Sequence, residues 1–225
     1  MTAIFTICSA LATAAVVLYG FWRYLPSRND VWLGFFGYSL VFLLTAALGL
    51  SGVLSDFSRV PPPLMFFVAG LLIGAVLIVL SPWGGRVITA VPLRALVGLQ
   101  GFRILPEILL DLAWREGLAP IQMTWHGRNY DIIAAVTALL LAAVWNRLAR
   151  PRVWAWVQWV LAFGLLLNIV IIAILSAPVP FRVFMNEPAN TFVARFPYIW
   201  LPGVHVLTAF VGHGLTLRYL LRKGE

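Results

Sequence analysis

The ionisable residues of an otherwise apolar chain are concentrated in one stretch, residues 103–131. Only eight Asp and Glu residues occur in 225 positions, and this stretch contains four of them together with one of the three histidines. Charged groups inside apolar segments are costly to bury and usually mark a functional site. We therefore expect the chemistry of this protein to centre on this stretch, whose carboxylates and histidine are Glu107, Asp111, Glu116, Asp131 and His126.

The first group within this stretch follows a helical repeat. Arg103, Glu107 and Asp111 are spaced four residues apart, so an α-helix places them along one face. An Arg103–Glu107 pair on adjacent turns would compensate most of the charge inside a membrane. One interpretation is a polar pocket or proton path that opens outward. The other is a structural ion pair that fixes helix packing, with Asp111 at the headgroups.

The second group lies at the entrance of the next helix, in the sequence MTWHGRNYD. Asn129 or Asp131 is a suitable N-cap for a helix that begins near residue 130. His126 fits an acid–base group, a ligand or an interfacial side chain. His205, in the last apolar segment, is expected at a depth similar to Glu107. The predicted ligand-binding residues are therefore Arg103, Glu107, Asp111, His126, Arg128, Asp131 and His205.

Three further polar residues form a second tier of candidates. Asn168 lies near the middle of an apolar segment, where a single amide usually bonds helix to helix. Arg182 and Arg195 belong to a polar loop over residues 178–197. This loop either covers the pocket as a lid or lies among the lipid headgroups, and the sequence leaves both interpretations open.

Metal and cofactor sites have little support in the sequence. His126, His205 and a carboxylate (Glu107 or Asp111) are suitable zinc ligands, but no HExxH or HxxxH pattern accompanies them. Metal binding and a bis-histidine haem therefore stay open, and no cofactor is predicted. Retinal is excluded because the only lysine, Lys223, lies at the end of the chain.

The elements that position these residues are membrane spans. The chain is 62% hydrophobic and 11% charged, whereas soluble domains contain about 25% charged residues. This composition predicts an all-α, polytopic membrane helix bundle. The net charge of +8 comes almost entirely from arginines near the ends of the apolar segments, where they set orientation and contact lipid. Nucleic acid is therefore not an expected partner, whereas the lipid bilayer is.

Segments of roughly 20 apolar residues between polar, proline or glycine breaks mark the spans. We predict one transmembrane domain, residues 1–225, with about seven transmembrane helices. The fourth is unusual because Pro92 and Pro106 interrupt it and it carries the charged face. The predicted spans are residues 3–22, 32–54, 64–81, 87–114, 130–147, 153–176 and 198–221.

The arginine and lysine residues beside these spans predict the orientation. Nine of them, with Lys223 among them, fall on one side and five on the other. Cytoplasmic loops carry the excess of positive charge, which predicts an outside N-terminus and a cytoplasmic C-terminus. Small size, short loops and arginine-rich cytoplasmic ends favour a bacterial inner (cytoplasmic) membrane.

Three classes of function follow from this arrangement. The first is an outward-facing polar pocket that binds a small polar or ionic ligand for transport or sensing. In this hypothesis Glu107 exchanges protons, Arg103 is its counter-charge, and Arg128 or His205 contacts the ligand. The second is an accessory or structural subunit of a larger membrane complex or homo-oligomer. The third is an intramembrane enzyme that acts on a lipid or quinone.

Overall fold

The structure, a computed structural model, describes residues 1–222, and Lys223 lies outside the described residues. Within this range the chain is helical and contains no β-strand. Short 3-10 turns at Val53–Ser55, Gln100–Arg103, Ile121–Met123, Trp145–Arg147 and Phe192–Ala194 and a π-helical turn at Leu201–Val206 join or extend the α-helices. The α-helices are α1 (Thr2–Tyr24), α2 (Arg28–Ser51), α3 (Pro63–Leu80), α4 (Pro82–Ala90), α5 (Leu93–Leu99), α6 (Ile104–Arg115), α7 (Asp131–Val144), α8 (Pro151–Leu175) and α9 (Leu207–Leu221).

Five of the helical segments are long and apolar enough to cross a membrane. They are α1, α2, α3, α8 and the segment Leu201–Leu221, and a bent pair formed by α4 and Leu93–Arg115 raises the number to six if it counts as one span. This confirms a multi-pass helical membrane protein. The bounds of the predicted spans at both ends of the chain agree with these helices to within a few residues.

The fourth predicted span is interrupted at Pro92, as the sequence indicated, but not at Pro106. The helix stops at Val91, which is extended (φ −88°, ψ 121°), and the chain turns by 106° before Leu93–Arg115. Pro92 causes the break, because proline lacks an N–H and disfavours helical geometry in the residue before it. Pro106 causes no break because it falls in the first turn of α6, where a missing N–H costs little.

Contacts between distant segments define two ends of the bundle. At the end that we call upper, the N-terminal ammonium lies 3.1 Å from Glu116 Oε1, beyond the last residue of α6. At the lower end, Arg86 Nε on α4 donates to Asp30 Oδ1 at the start of α2 (2.9 Å). The loops after α6 and α8 both lie at the upper end, where Phe196 N donates to Gly49 O near the end of α2.

Small residues let the last helical segment approach α2 closely. A Cβ built on Gly203 would lie 2.7 Å from Thr45 Cγ2, and one on Gly49 would lie 2.6 Å from Ile199 Cγ2. Larger side chains at these two positions would separate the helices. Small residues at such crossings are common where helices pack closely in a bilayer, and Gly203 lies two residues before His205 in the chain.

Candidate functional site

The non-helical residues 126–130 and the first residue of α7, Asp131, run down the polar face of the segment Leu93–Arg115 and make three successive contacts with it. His126 meets Asp111, Asn129 meets Glu107, and Asp131 meets Arg103. Residue numbers rise along this segment while they fall along the helix it contacts, so the two run in opposite directions. As a result α7 begins inside the bundle, beside Arg103. Irregular backbone at membrane depth is tolerated only where protein surrounds it, and Asn129 and Asp131 are both buried.

The side chain of Arg103 is almost fully buried (1% exposed), and its ion-pair partner, Asp131, is on another helix. Its Nε donates to Asp131 Oδ2 (2.8 Å), and its Nη2 donates to Asp131 Oδ1. Nη1 donates to Ala162 O on α8 (3.0 Å) and lies 3.1 Å from His213 Nε2 on α9. The expected Arg103–Glu107 pair is therefore wrong, because the fork of the guanidinium is occupied by the carboxylate of Asp131.

Glu107 is buried without a cation of its own. Both carboxyl oxygens accept from Asn129 Nδ2, each at 2.8 Å. The same amide nitrogen donates to Met123 O, and Asn129 Oδ1 accepts from Asp131 N at 3.0 Å. Asn129 thus has two roles: its Oδ1 accepts from the first N–H of α7, and its Nδ2 donates to Glu107. The N-cap residue of α7 is Tyr130. An unpaired buried carboxylate is costly, so Glu107 is suited to carry a proton or to meet a ligand.

Asp111 and His126 form the uppermost contact, close to the surface. Arg115 Nε donates to Asp111 Oδ2 (2.7 Å), and His126 Nε2 lies 3.2 Å from Asp111 Oδ1. The same Nε2 accepts from the Trp125 indole N–H at 3.0 Å. An unprotonated nitrogen that accepts from Trp125 has no hydrogen for Asp111. His126 therefore lies beside Asp111 without a hydrogen bond to it, and Asp111 Oδ1 has no hydrogen-bond partner among the described residues.

His205 is buried against α1, and both of its ring nitrogens are occupied. Nε2 lies 3.2 Å from Ser9 Oγ and Nδ1 lies 3.1 Å from Thr13 Oγ1. Ser9 Oγ already donates to Thr6 O (2.9 Å), so it accepts from His205. This fixes the neutral tautomer with hydrogen on Nε2, while Thr13 donates to Nδ1.

The remaining candidates lie around the upper loops. The exposed Arg128 stacks over the Phe184 ring at 5.3 Å, and its backbone oxygen accepts from Asn168 Nδ2 (2.9 Å). Arg182 orders the loop after α8 through Phe184 O and Glu187 Oε1. Arg195 is exposed. These residues organise the surface of the upper end.

A cavity of about 290 Å³ lies beside the buried charges, close to the lower limit of roughly 300 Å³ for small-molecule sites. Its wall is built by α3, α6, α8, the loop after α8 and the last helical segment, and is mainly aliphatic. Asp111, His126 and Arg128 are not among the lining residues. The predicted site residues in the wall are Arg103, Glu107, Asp131 and His205.

One polar residue of this wall, Asn190, was not among the sequence candidates. It is 3% exposed, and its Nδ2 donates to Ala173 O (2.9 Å) while its Oδ1 has no hydrogen-bond partner. An orphaned buried acceptor needs an explanation, and a ligand or a water is the usual one. His213, now a neighbour of Arg103, was also missed. A polar residue in a loop beside prolines gives no sequence signal of burial, which is why Asn190 escaped.

The zinc and haem possibilities find no support in the arrangement of ligands. Among residues 1–222, no group of three or more His, Cys, Asp or Glu side chains is placed to hold a metal ion. Both ring nitrogens of His205 form hydrogen bonds with α1, whereas His126 lies at the surface beside Trp114. The two histidines thus belong to different environments.

Comparison of the chain with family models, with curated proteins and with solved structures found no match.

Proposed function

We propose that this protein is a membrane-embedded binding protein whose cavity holds a small ligand with a polar group, for transport or sensing. The observation that carries the proposal is the position of Glu107. It is a buried carboxyl without a cation of its own, and it stands in the wall of a cavity large enough for a ligand. Ionisable residues in such positions inside a membrane usually mark a substrate or proton pathway.

The roles of the predicted site residues follow from their partners. Glu107 exchanges a proton with the ligand or with water, and Asn129 holds it in place. Arg103 and Asp131 form a neutral pair that fixes α7 against α5 and α6. His205 lines the cavity as a neutral ring. Because the carboxylate of Asp131 already neutralises Arg103, the polar group of the ligand meets Glu107 or Asn190 instead.

The proposal includes seven crossings, with the N-terminus outside and the C-terminus cytoplasmic in a bacterial inner membrane. Two segments are added to the five long apolar helices to give seven crossings. They are Leu93–Arg115, whose buried Arg103 is paired with Asp131, and α7 with its final turn. Contacts at the two ends of the bundle support these two additional crossings. Met1 meets Glu116 at the upper end, where Leu93–Arg115 finishes. Arg94 Nε donates to Ala142 O, which joins the start of Leu93–Arg115 to the end of α7. The larger group of arginines at the lower end supports the orientation.

The test is whether a bound molecule leaves when the cavity is filled. Val170 on α8 lines the cavity, whereas Val160 on the same helix is 61% exposed and does not. The purified wild type, Val170→Trp and Val160→Trp would be denatured and their released small molecules compared by mass spectrometry. We expect a molecule that accompanies the wild type and Val160→Trp and is absent from Val170→Trp. Equal contents in all three would contradict the proposal.

An intramembrane enzyme acting on a lipid or quinone is the second candidate function. The mainly aliphatic wall favours it, because a lipid or quinone would fit there and Glu107 would serve as its acid or base. Such an enzyme would release the molecule chemically changed. Incubation of the wild type with the molecule it carries, followed by mass spectrometry, distinguishes conversion from simple binding.

A further inference from the structure

Two helices beside the cavity leave a gap between them. Within residues 1–222, α3 and α8 each pack against α9 but pack little against each other. Residues of α3 (Met65, Val68, Leu72) and of α8 (Val170, Ala173) line opposite sides of the cavity. In a bilayer such a gap faces lipid chains. The cavity is therefore placed to exchange its contents with the membrane.

A second apolar space lies beside the cavity, toward the lower end of the bundle. A second depression of about 560 Å³ lies between the same three helices and shares Leu72 with the first. Its upper part is lined by Phe163 of α8 and Phe210 of α9. An elongated apolar chain would lie along α9 through both spaces, whereas a compact ion would fill neither.

The polar groups in the wall of the 290 Å³ cavity restrict which kind of polar head group a bound amphiphile can carry. Asn190 Oδ1 is an acceptor without a partner, and its orientation is fixed because Nδ2 must face the carbonyl of Ala173. Arg103 is the one arginine or lysine that residues 1–222 contribute to the wall, and it donates to Asp131 and Ala162 O and lies beside His213. The part of the wall that the structure describes thus offers an acceptor for a hydrogen-bond donor and no unpaired cation for an anionic head.

Building on the proposed function, we infer that the ligand is a lipid-phase amphiphile that enters between α3 and α8. Its uncharged head, such as a hydroxyl or amide, donates a hydrogen bond to Asn190 Oδ1. Its single apolar chain lies along α9. A water-soluble ion or an anionic lipid does not fit this combination of groups.

The experiment uses tritiated oleyl alcohol and tritiated oleate, which share a chain and differ in the head. Their binding to the purified full-length protein in detergent would be measured by scintillation proximity at a pH where oleate is ionised. We expect oleyl alcohol to bind about tenfold more tightly than oleate, because burying an anion without a cation is strongly disfavoured. Equal binding, or tighter binding of oleate, would overturn the inference.

Three variants locate the site of binding. Asn190→Leu removes the acceptor and should weaken oleyl alcohol binding about tenfold, the effect of one hydrogen bond. Asn186→Leu, in the same loop but exposed and outside the cavity wall, should leave it unchanged. Val170→Trp, which fills the gap, should abolish binding even if Asn190→Leu does not fold. Unchanged binding in Val170→Trp would overturn the inference.

The results separate this inference from the proposed function. If Val170→Trp displaces a water-soluble molecule while the wild type does not bind oleyl alcohol, the cavity is a ligand site and the inference alone is wrong. If the wild type carries no molecule and binds neither probe, both are wrong.

Discussion

Arg103 and Asp131 are joined by both arms of the guanidinium, with Nε donating to Oδ2 at 2.8 Å and Nη2 donating to Oδ1. They are 28 residues apart in the chain. This pair is the point at which the polar face of α6, the start of α7 and the interior of the bundle meet. The apolar cavity lies beside it, so its integrity determines the geometry of the candidate site.

Removing one member of this pair should be much more harmful than removing both. Arg103→Met or Asp131→Leu alone leaves a buried charge, at a cost of about 3–5 kcal/mol. The double variant buries no unpaired charge and should recover much of that loss. Apparent melting temperatures in detergent would measure the effect, with Arg59→Met at the exposed Asp56–Arg59 pair as control. Additive losses in the double variant would contradict this account.

Asn129 should be more important for stability than its uncharged side chain indicates. Asn129→Ala removes its bonds to Glu107, Met123 and the Asp131 N–H and leaves a buried carboxyl without a donor. Each unsatisfied buried group costs about 1–3 kcal/mol. Asn168→Ala, which removes a single bond from a half-buried residue, is the matched control. Similar melting temperatures for the two variants would show that Asn129 does not hold the site together.

Glu107 should make ligand binding sensitive to pH. If it exchanges a proton with the ligand, the affinity of the wild type changes with pH, whereas Glu107→Gln gives a flat profile. The glutamine retains the size of the side chain and lacks the titrating proton. Asp56→Asn, at the exposed upper surface, serves as the control for non-specific effects of charge. A pH profile of Glu107→Gln that follows the wild type would exclude this role.

The contact between the N-terminus and α6 should weaken in acid. Hydrogen bonds from Thr2, together with the N-terminal ammonium, hold the pKa of Glu116 below its usual value. A carboxyl with a lowered pKa in the folded state stabilises the protein above its unfolded pKa, and this contribution is lost as the pH falls through the folded pKa. The difference in melting temperature between the wild type and Glu116→Gln should therefore be small and disappear at low pH. A difference in melting temperature between the wild type and Glu116→Gln that persists in acid would contradict a stabilising role of this contact.

The proposed topology predicts which loops react with an impermeant thiol reagent. In a Cys8→Ser background, Ser58→Cys between α2 and α3 should be labelled from outside intact cells. Arg150→Cys, between α7 and α8, should be labelled only after the membrane is opened. Since α3 crosses, these two positions lie on the same side if only one of Leu93–Arg115 and α7 crosses, and on opposite sides if both or neither cross. The exposed Arg128→Cys, in the loop between these two segments, separates the last two cases, because it is labelled from outside only if Leu93–Arg115 crosses. Labelling of both positions in intact cells would contradict seven crossings.

The long apolar helices could be predicted from the sequence because their signal is local. The predicted span 64–81 corresponds to Pro63–Leu80, and 153–176 corresponds to Pro151–Leu175. The polar stretch was also located correctly as the most charged part of the interior. Pro92 was identified as an interruption, but the turn of 106° could not be predicted. The apolar residues continue on both sides of Pro92, and hydrophobicity alone does not record the direction of the chain.

The partners of the buried charges could not be predicted in the same way. Spacing identifies neighbours on one helix, so it favoured Glu107 as the partner of Arg103, whereas the actual partner is Asp131. That choice depends on a loop that turns back into the bundle and on Asn129, whose type is common at any helix start. Asn190 gave no signal for the same reason, since its burial follows from the packing of a loop.

The most direct test of the central claim is a high-resolution cryo-EM map of the purified protein with its native lipids. The region to inspect is the cavity between Glu107, Asn190 and His205. We predict elongated density there, with its polar end within hydrogen-bond distance of Glu107 or Asn190 Oδ1. A dry cavity, or one closed by its own side chains, would contradict a ligand site and leave the buried charges with a structural role alone.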